Sequence, residues 1–182
     1  MSTIASSQDT LPAGTWGIDP VHSQVGFAVD YMSGTFRGSF SPVDAKLVVG
    51  EDGSVELTGS ARVESIKVQD ENLTAHLQAP DFFDAERTPE VSFRSTDVRR
   101  SGERVTVAGE LTIKGTTQPV EFEGTVAEPI TDPYGRARIG LKLDGSVDRA
   151  AFGIDWNNPL PNGQPALANE VSLSAELYLV KA

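Results

Sequence analysis

Side chains able to do chemistry are scarce in this chain, and the two histidines, His22 and His76, set the first limit on what it can catalyse. They do not form a His-Glu-x-x-His array, and with no cysteine present a zinc site would have to be built from carboxylates. No metal is expected. His76 reads as a packed or surface histidine rather than a ligand. His22 adjoins Ser23, yet neighbours on a strand face opposite sides, so the two cannot act as a base and its nucleophile. The string Lys114-Gly115-Thr116-Thr117 has the residue types of a phosphate loop in the wrong order and joins two apolar runs, which predicts a hairpin turn. No Gly-x-Gly-x-x-Gly follows a strand and no Gly-x-Ser-x-Gly elbow occurs. Carboxylates are plentiful, but solvated Asp and Glu on outward strand faces account for nearly all of them.

Composition narrows the partners. With 26 acidic against 15 basic side chains the formal charge is −11, which repels phosphate backbones, so nucleic acid is not an expected partner. No apolar stretch approaches the length that crosses a bilayer, so direct membrane insertion is not expected and a lipid would be met through a pocket. The opening residues lack the basic and apolar regions of a secretory signal, which makes the cytoplasm the expected location. At 182 residues, one domain is the default.

The elements that must position any site are strands. Met1 to Gly14 is small and polar and reads as a flexible arm, leaving 15–182 as the folded domain. Beyond it the apolar residues recur with period two: Val25, Phe27, Val29 and Tyr31; Val43, Ala45, Leu47 and Val49; Val55, Leu57, Gly59, Ala61 and Val63. The pattern continues through Val105 to Ile113, Val120 to Gly124, Ala137 to Leu143 and Val171 to Leu179. With the shorter runs Phe36 to Phe40 and Val91 to Val98, about eight strands with short turns follow, an all-β antiparallel barrel or sandwich. One short helix is predicted over Asp70 to Gln78, with Leu73, His76 and Leu77 at helical spacing, and a helical turn and loop over Arg149 to Asn158.

Several long strings carry a resemblance. Asp19-Pro20-Val21-His22-Ser23, Gly34 to Phe40, His76 to Ala85, Pro89 to Ser95, Gly109 to Thr117 and Arg149 to Trp156 are similar to those of the YceI-like family. The resemblance covers Trp16 to Lys181. It implies a lipocalin-like barrel and, from several members, a polyisoprenoid or related lipid held inside. It also implies a homodimer, because such barrels often pair through an outer face. Where many members carry a histidine in a Phe-x-Val-x-His string, this chain has Tyr31, whose hydroxyl could substitute while its ring adds apolar area.

On this reading the chain is a carrier for an apolar isoprenoid-type lipid and not an enzyme. No cofactor is required, and a bound polyisoprenoid or quinone is the expected guest. The inward faces are rich in Val, Leu and Ala, and Gly59, Gly109 and Gly124 contribute no side chain, which favours enclosed volume. Phe27, Val29, Phe93, Leu111, Ile113, Phe122, Ile139 and Leu141 are tail contacts if a cavity exists and ordinary core if it does not. Of Phe82 and Phe83, one is expected to gate the mouth and the other to anchor the helix; simple packing of the helix is the alternative. Phe152 and Trp156 either plug the barrel end or, through the indole N–H, meet a polar head. Arg149 and Arg37 either meet a diphosphate or pair with acidic neighbours. Two other functions compete: a filled barrel acting as a stress or protein-interaction module, and an enzyme whose polar groups would be His22, Tyr31 and Arg149.

Overall fold

The computed structural model describes residues 10–182. Twelve strands and one α-helix follow in chain order: β1 (Gly14–Ile18), β2 (Gln24–Tyr31), β3 (Gly34–Phe40), β4 (Asp44–Val49), β5 (Val55–Arg62), β6 (Ile66–Lys67), α1 (Glu71–Gln78), β7 (Glu90–Ser101), β8 (Arg104–Ile113), β9 (Thr116–Val126), β10 (Ile130–Thr131), β11 (Ala137–Asp148) and β12 (Leu167–Lys181). Eight of them close a ring in the order β1-β4-β5-β7-β8-β9-β11-β12, each paired antiparallel with its neighbours. The strand β12 also carries β2 on the edge it shares with β1, and β3 and β6 extend from there. The periodic pattern therefore yields a barrel, with four short or flanking strands added to the ring.

The alternation explains the core. On β4, Ala45, Leu47 and Val49 are buried while the residues between them are exposed. On β11 and β12, Ile139, Leu141, Leu177 and Leu179 are buried, and they face each other across the ladder as Ile139↔Leu179 and Leu141↔Leu177. With Trp16, Leu47, Val105, Val107 and Val126 they fill one end of the barrel. A second cluster, which includes Val29, Phe40, Val43, Leu77, Phe82 and Ile154, lies under α1 at the other end.

One phase change escapes simple alternation. A bulge on β7 between Ser95 and Asp97 shifts the register, so the buried side passes from Ser95 to Arg100 along that strand. Leu57 of β5 donates its N–H to the Ser95 hydroxyl at 2.8 Å, a side-chain substitute for a ladder bond at the bulge.

Arg100, turned inward, holds the packed end together: its guanidinium donates to the carbonyls of Gly102 and Thr10 at 2.8 Å and to Glu128 at 2.5 Å. This corrects the reading of residues up to Gly14 as an arm. The first nine lie outside the described residues, but Leu11 is 7% exposed within the core, the Trp16 indole donates to the Pro12 carbonyl, and Gly14 opens β1. A single leucine between Thr10 and Pro12 leaves no periodic trace, yet here it caps the barrel end.

The glycines play a different part from the one expected. A Cβ on Gly124 would sit 1.7 Å from the Lys142 carbonyl oxygen, and one on Gly109 would sit 2.4 Å from the Arg94 carbonyl oxygen and 2.6 Å from the Phe93 ring. These positions admit close strand approach and seat an aromatic ring against the wall; only Gly59, whose Cβ would meet nothing nearer than 3.5 Å, leaves open room.

Replacing Leu11 with Ala should destabilise the fold by about 2–3 kcal/mol, because a buried leucine leaves a cavity. Urea denaturation measures this; a change within about 0.5 kcal/mol, as for a surface residue, would show that the segment is a free arm.

Candidate functional site

Beyond the packed end the lumen is open. A cavity of about 550 Å³ runs from a floor at Leu57, Leu143 and Leu177 to a mouth beneath α1. Its walls come from the inward faces of the strands, and the polar residues Asp44, Thr58, Ser60, Ser92 and Ser174 stand at outward positions, lending it backbone rather than side chains. Within it, against the packed end, Phe93 and Phe122 meet edge to face with centroids 5.5 Å apart. Gly145 lies behind Phe122, where a Cβ would come within 2.8 Å of the ring.

Most of the residues singled out from sequence line this space: Phe27, Val29, Tyr31, Phe82, Phe83, Phe93, Leu111, Ile113, Phe122, Arg149, Phe152 and Trp156. Three do not. Ile139 and Leu141 share the inward face of β11 but belong to the packed end, because alternation tells inside from outside and not depth. His22 is 70% exposed and lies off the cavity. Among residues the sequence reading did not select as site residues, Phe36, Phe40, Leu73, His76 and Leu173 also line it. Their signals were the period-two runs and the helical spacing of Leu73, His76 and Leu77.

Both Phe82 and Phe83 reach the cavity, contrary to the expectation that only one would. The chain after α1 is a tight turn and not regular structure: the N–H groups of Phe82 and Asp84 both donate to the Ala79 carbonyl, that of Phe83 donates to the Leu77 carbonyl, and Asp84 has φ +52°. Phe83 therefore packs on Phe40 and Phe27, at 5.6 and 6.4 Å, in the wall. Phe82 joins His76 and Trp156 at the mouth, where the imidazole stands edge-on to both rings at 4.8 and 5.0 Å. Asp70 caps the helix that carries His76, accepting from the N–H groups of Asn72 and Leu73.

Arg149 takes neither role weighed for it. Its side chain, in a residue 5% exposed, donates through Nε to Ala168, through Nη1 to Ile154 and Trp156, and through Nη2 to Leu167, all backbone carbonyls. Burial draws its pKa below the ordinary arginine value, with the Asp155 and Asp148 carboxylates opposing. It staples the loop after the 3₁₀ turn Arg149–Phe152 to the start of β12. Asn157, which the sequence reading passed over, adds a second staple through Ala166 and Leu167. Phe152, 1% exposed, plugs the wall, while Trp156 is half-buried at the mouth. Arg37 is exposed on β3 and takes no part. Lys114, in the two-residue hairpin between β8 and β9, reaches the carbonyls of Pro80 and Gly153 and so ties the turn after α1 to the Arg149 loop.

The model of the YceI-like domain matches residues 16–179, all but the outermost ends of β1 and β12. The chain belongs to that family. Among YceI-like relatives, the UPF0312 protein SERP2314 of Staphylococcus epidermidis is 29% identical over 167 residues, 88% of this chain and 94% of that one. Protein YceI of Escherichia coli O157:H7 is 25% identical over 136 residues, 73% of this chain and 71% of its own. In fold the YceI-like barrel is similar to BcnA of Burkholderia cenocepacia, with TM-score 0.75 and 22% identity over 88% of this chain and 98% of that one. It is also similar to a polyisoprenoid binding domain from Saccharophagus degradans, with TM-score 0.70 and 11% identity over 92% and 98%.

The structure gives the YceI-like string Asp19 to Ser23 a mechanical role. It carries the chain from β1 to β2 as both lie along β12, and the Ser23 hydroxyl accepts from the Tyr178 N–H at 2.9 Å at the changeover. Asp19 accepts from Val21 N–H, from His22 Nδ1 at 2.7 Å and from Arg138 at 2.9 Å, and Arg138 also donates to Asp132 at 2.7 Å. His22 is thus part of a structural brace. Its hydrogen bond, followed by those of Arg138 and Val21, holds the Asp19 carboxyl at about 2, against the effect of burial. Arg138 and the nearby N–H groups hold Asp132 below its ordinary value as well.

A lowered carboxylate pKa stabilises the folded state above the unfolded value, and that contribution disappears as the pH falls through the folded value. The stability gap between the natural protein and Asp19→Asn should therefore be widest at neutral pH and close between about pH 4 and 2. Urea titrations at stepped pH measure it; a gap independent of pH would contradict the brace.

Proposed function

We propose that this protein is a carrier that holds one apolar lipid chain, of the polyisoprenoid, quinone-tail or fatty-acyl kind, within the barrel, and that it binds this guest without transforming it. The observation that carries the proposal is the 550 Å³ lumen walled by aliphatic and aromatic side chains, within the roughly 300–1,000 Å³ typical of ligand pockets. Held empty, such a space forgoes packing on the order of 10 kcal/mol, at roughly 24 cal/mol per Å³. That is comparable to the whole stability of a domain. A hydrocarbon guest restores those contacts, at about 0.8 kcal/mol for each buried methylene.

The similar domain from Saccharophagus degradans, described as polyisoprenoid binding, supports the same reading. A filled-barrel interaction module has no use for the open half. The enzyme reading asked His22, Tyr31 and Arg149 to converge, and His22 stands off the cavity that the other two line.

Organic extraction of gently purified protein, followed by mass analysis, should release a lipid, and stripped protein should take up added polyprenol. The double variant Gly59→Leu/Ala175→Phe fills mid-lumen positions and should weaken uptake roughly 100-fold by displacing several methylenes. A guest-free native protein that takes up no polyprenol, or unchanged uptake by a folded double variant, would refute the proposal.

A further inference from the structure

Resting on that carrier reading, we propose that the guest bears an uncharged polar head, an alcohol, amide or quinone oxygen, and that lipids ending in a carboxylate or phosphate are excluded. Among the described residues the lumen offers no anion receptor. Arg149 is the one arginine or lysine among those that line the cavity, and four of its guanidinium's five N–H groups are already given to backbone carbonyls. The fifth, on Nη2, stands alone, whereas a carboxylate or phosphate is recognised by two parallel donors of the fork. Freeing a second donor would break a staple of the mouth loop. An anion drawn inside would thus be desolvated with no full partner, which costs far more than burying a neutral head.

A head left outside the mouth fares no better. His76, at the rim, has Asp81 at 3.7 Å, and the exposed Asp155 and Asp148 flank the Arg149 turn, so an anionic head there meets carboxylates, within a chain of net charge −11. Lys114, at this edge, is engaged with the carbonyls of Pro80 and Gly153, and Arg87, on the segment after α1, has the Asp84 carboxylate at 4.0 Å. What the rim does present is a phenol hydroxyl at Tyr31, an imidazole at His76 and an indole N–H at Trp156. Such groups satisfy a neutral acceptor oxygen without demanding a counter-charge.

The test uses a matched pair, geranylgeraniol and geranylgeranyl diphosphate, which share one tail and differ only in the head. Stripped Trp16→Phe protein lets Trp156 fluorescence alone report binding at the mouth. The alcohol should bind at least about tenfold more tightly, a difference of about 1.4 kcal/mol. The double variant His76→Arg/Asp81→Asn, which adds a guanidinium to the rim and removes the carboxylate beside it, should narrow that ratio. Equal affinities, or tighter binding of the diphosphate, would overturn the head-group inference while leaving the carrier reading intact. Failure of both lipids to bind would overturn both.

Discussion

Eleven consecutive residue pairs between β11 and β12, from Arg138↔Val180 to Asp148↔Glu170, close the sheet on itself, and this closure is what everything else in the molecule depends on. Once the ring is shut, every strand has an inside and an outside, and a one-residue slip would exchange the two. The acidic, solvated faces go out and the aliphatic and aromatic faces go in. Eight strands give an interior that side chains can just fill or that one small ligand can occupy. This chain does both, in different halves.

The division follows from what stands on each inward position. At one end Trp16, Leu47, Leu141 and Leu179 interlock, and Leu11 with the Arg100 hydrogen bonds seals them from below. Toward the other end the inward places fall to Gly59, Ala61 and Ala175 among larger residues, and the aromatic rings lie flat against the wall where Gly109 and Gly145 make space. The mouth is an assembly of chain segments distant in sequence. Lys114 links the turn after α1 to the loop stapled by Arg149, and Asn157 and β12 complete the rim. The strings shared with the YceI-like family are thus largely the joints of this framework.

The barrel class, the helix under Asp70 and the hairpin at Lys114 were legible in the sequence because each has a local signature: period two, an N-cap with helical spacing, and a two-residue turn. The lining of the cavity was legible for the same reason at Phe27, Leu111 or Phe122. What could not be read was depth along the barrel axis. Ile139 and Phe122 carry identical patterns, but one packs against Leu179 and the other faces open space, a difference made by strand stagger and partner identity. The β7 bulge hid the inward turn of Arg100, since it reverses the alternation that reveals it. Phe82 and Phe83 were assigned opposite sides by a rule for regular structure that a tight turn does not obey. Arg149 offered a charge to the sequence reader, while its partners are carbonyls, which every residue has and no sequence displays.

The central claim is that half of this barrel is a lasting, dry, apolar space. Xenon, which enters empty apolar cavities and has no affinity for well-packed or polar ones, measures that directly in pressurised crystals of lipid-stripped protein. The account predicts xenon density in the lumen between Phe122 and Leu173, with the strands unmoved. A lumen without xenon, closed by side chains that have collapsed across it, would contradict the account.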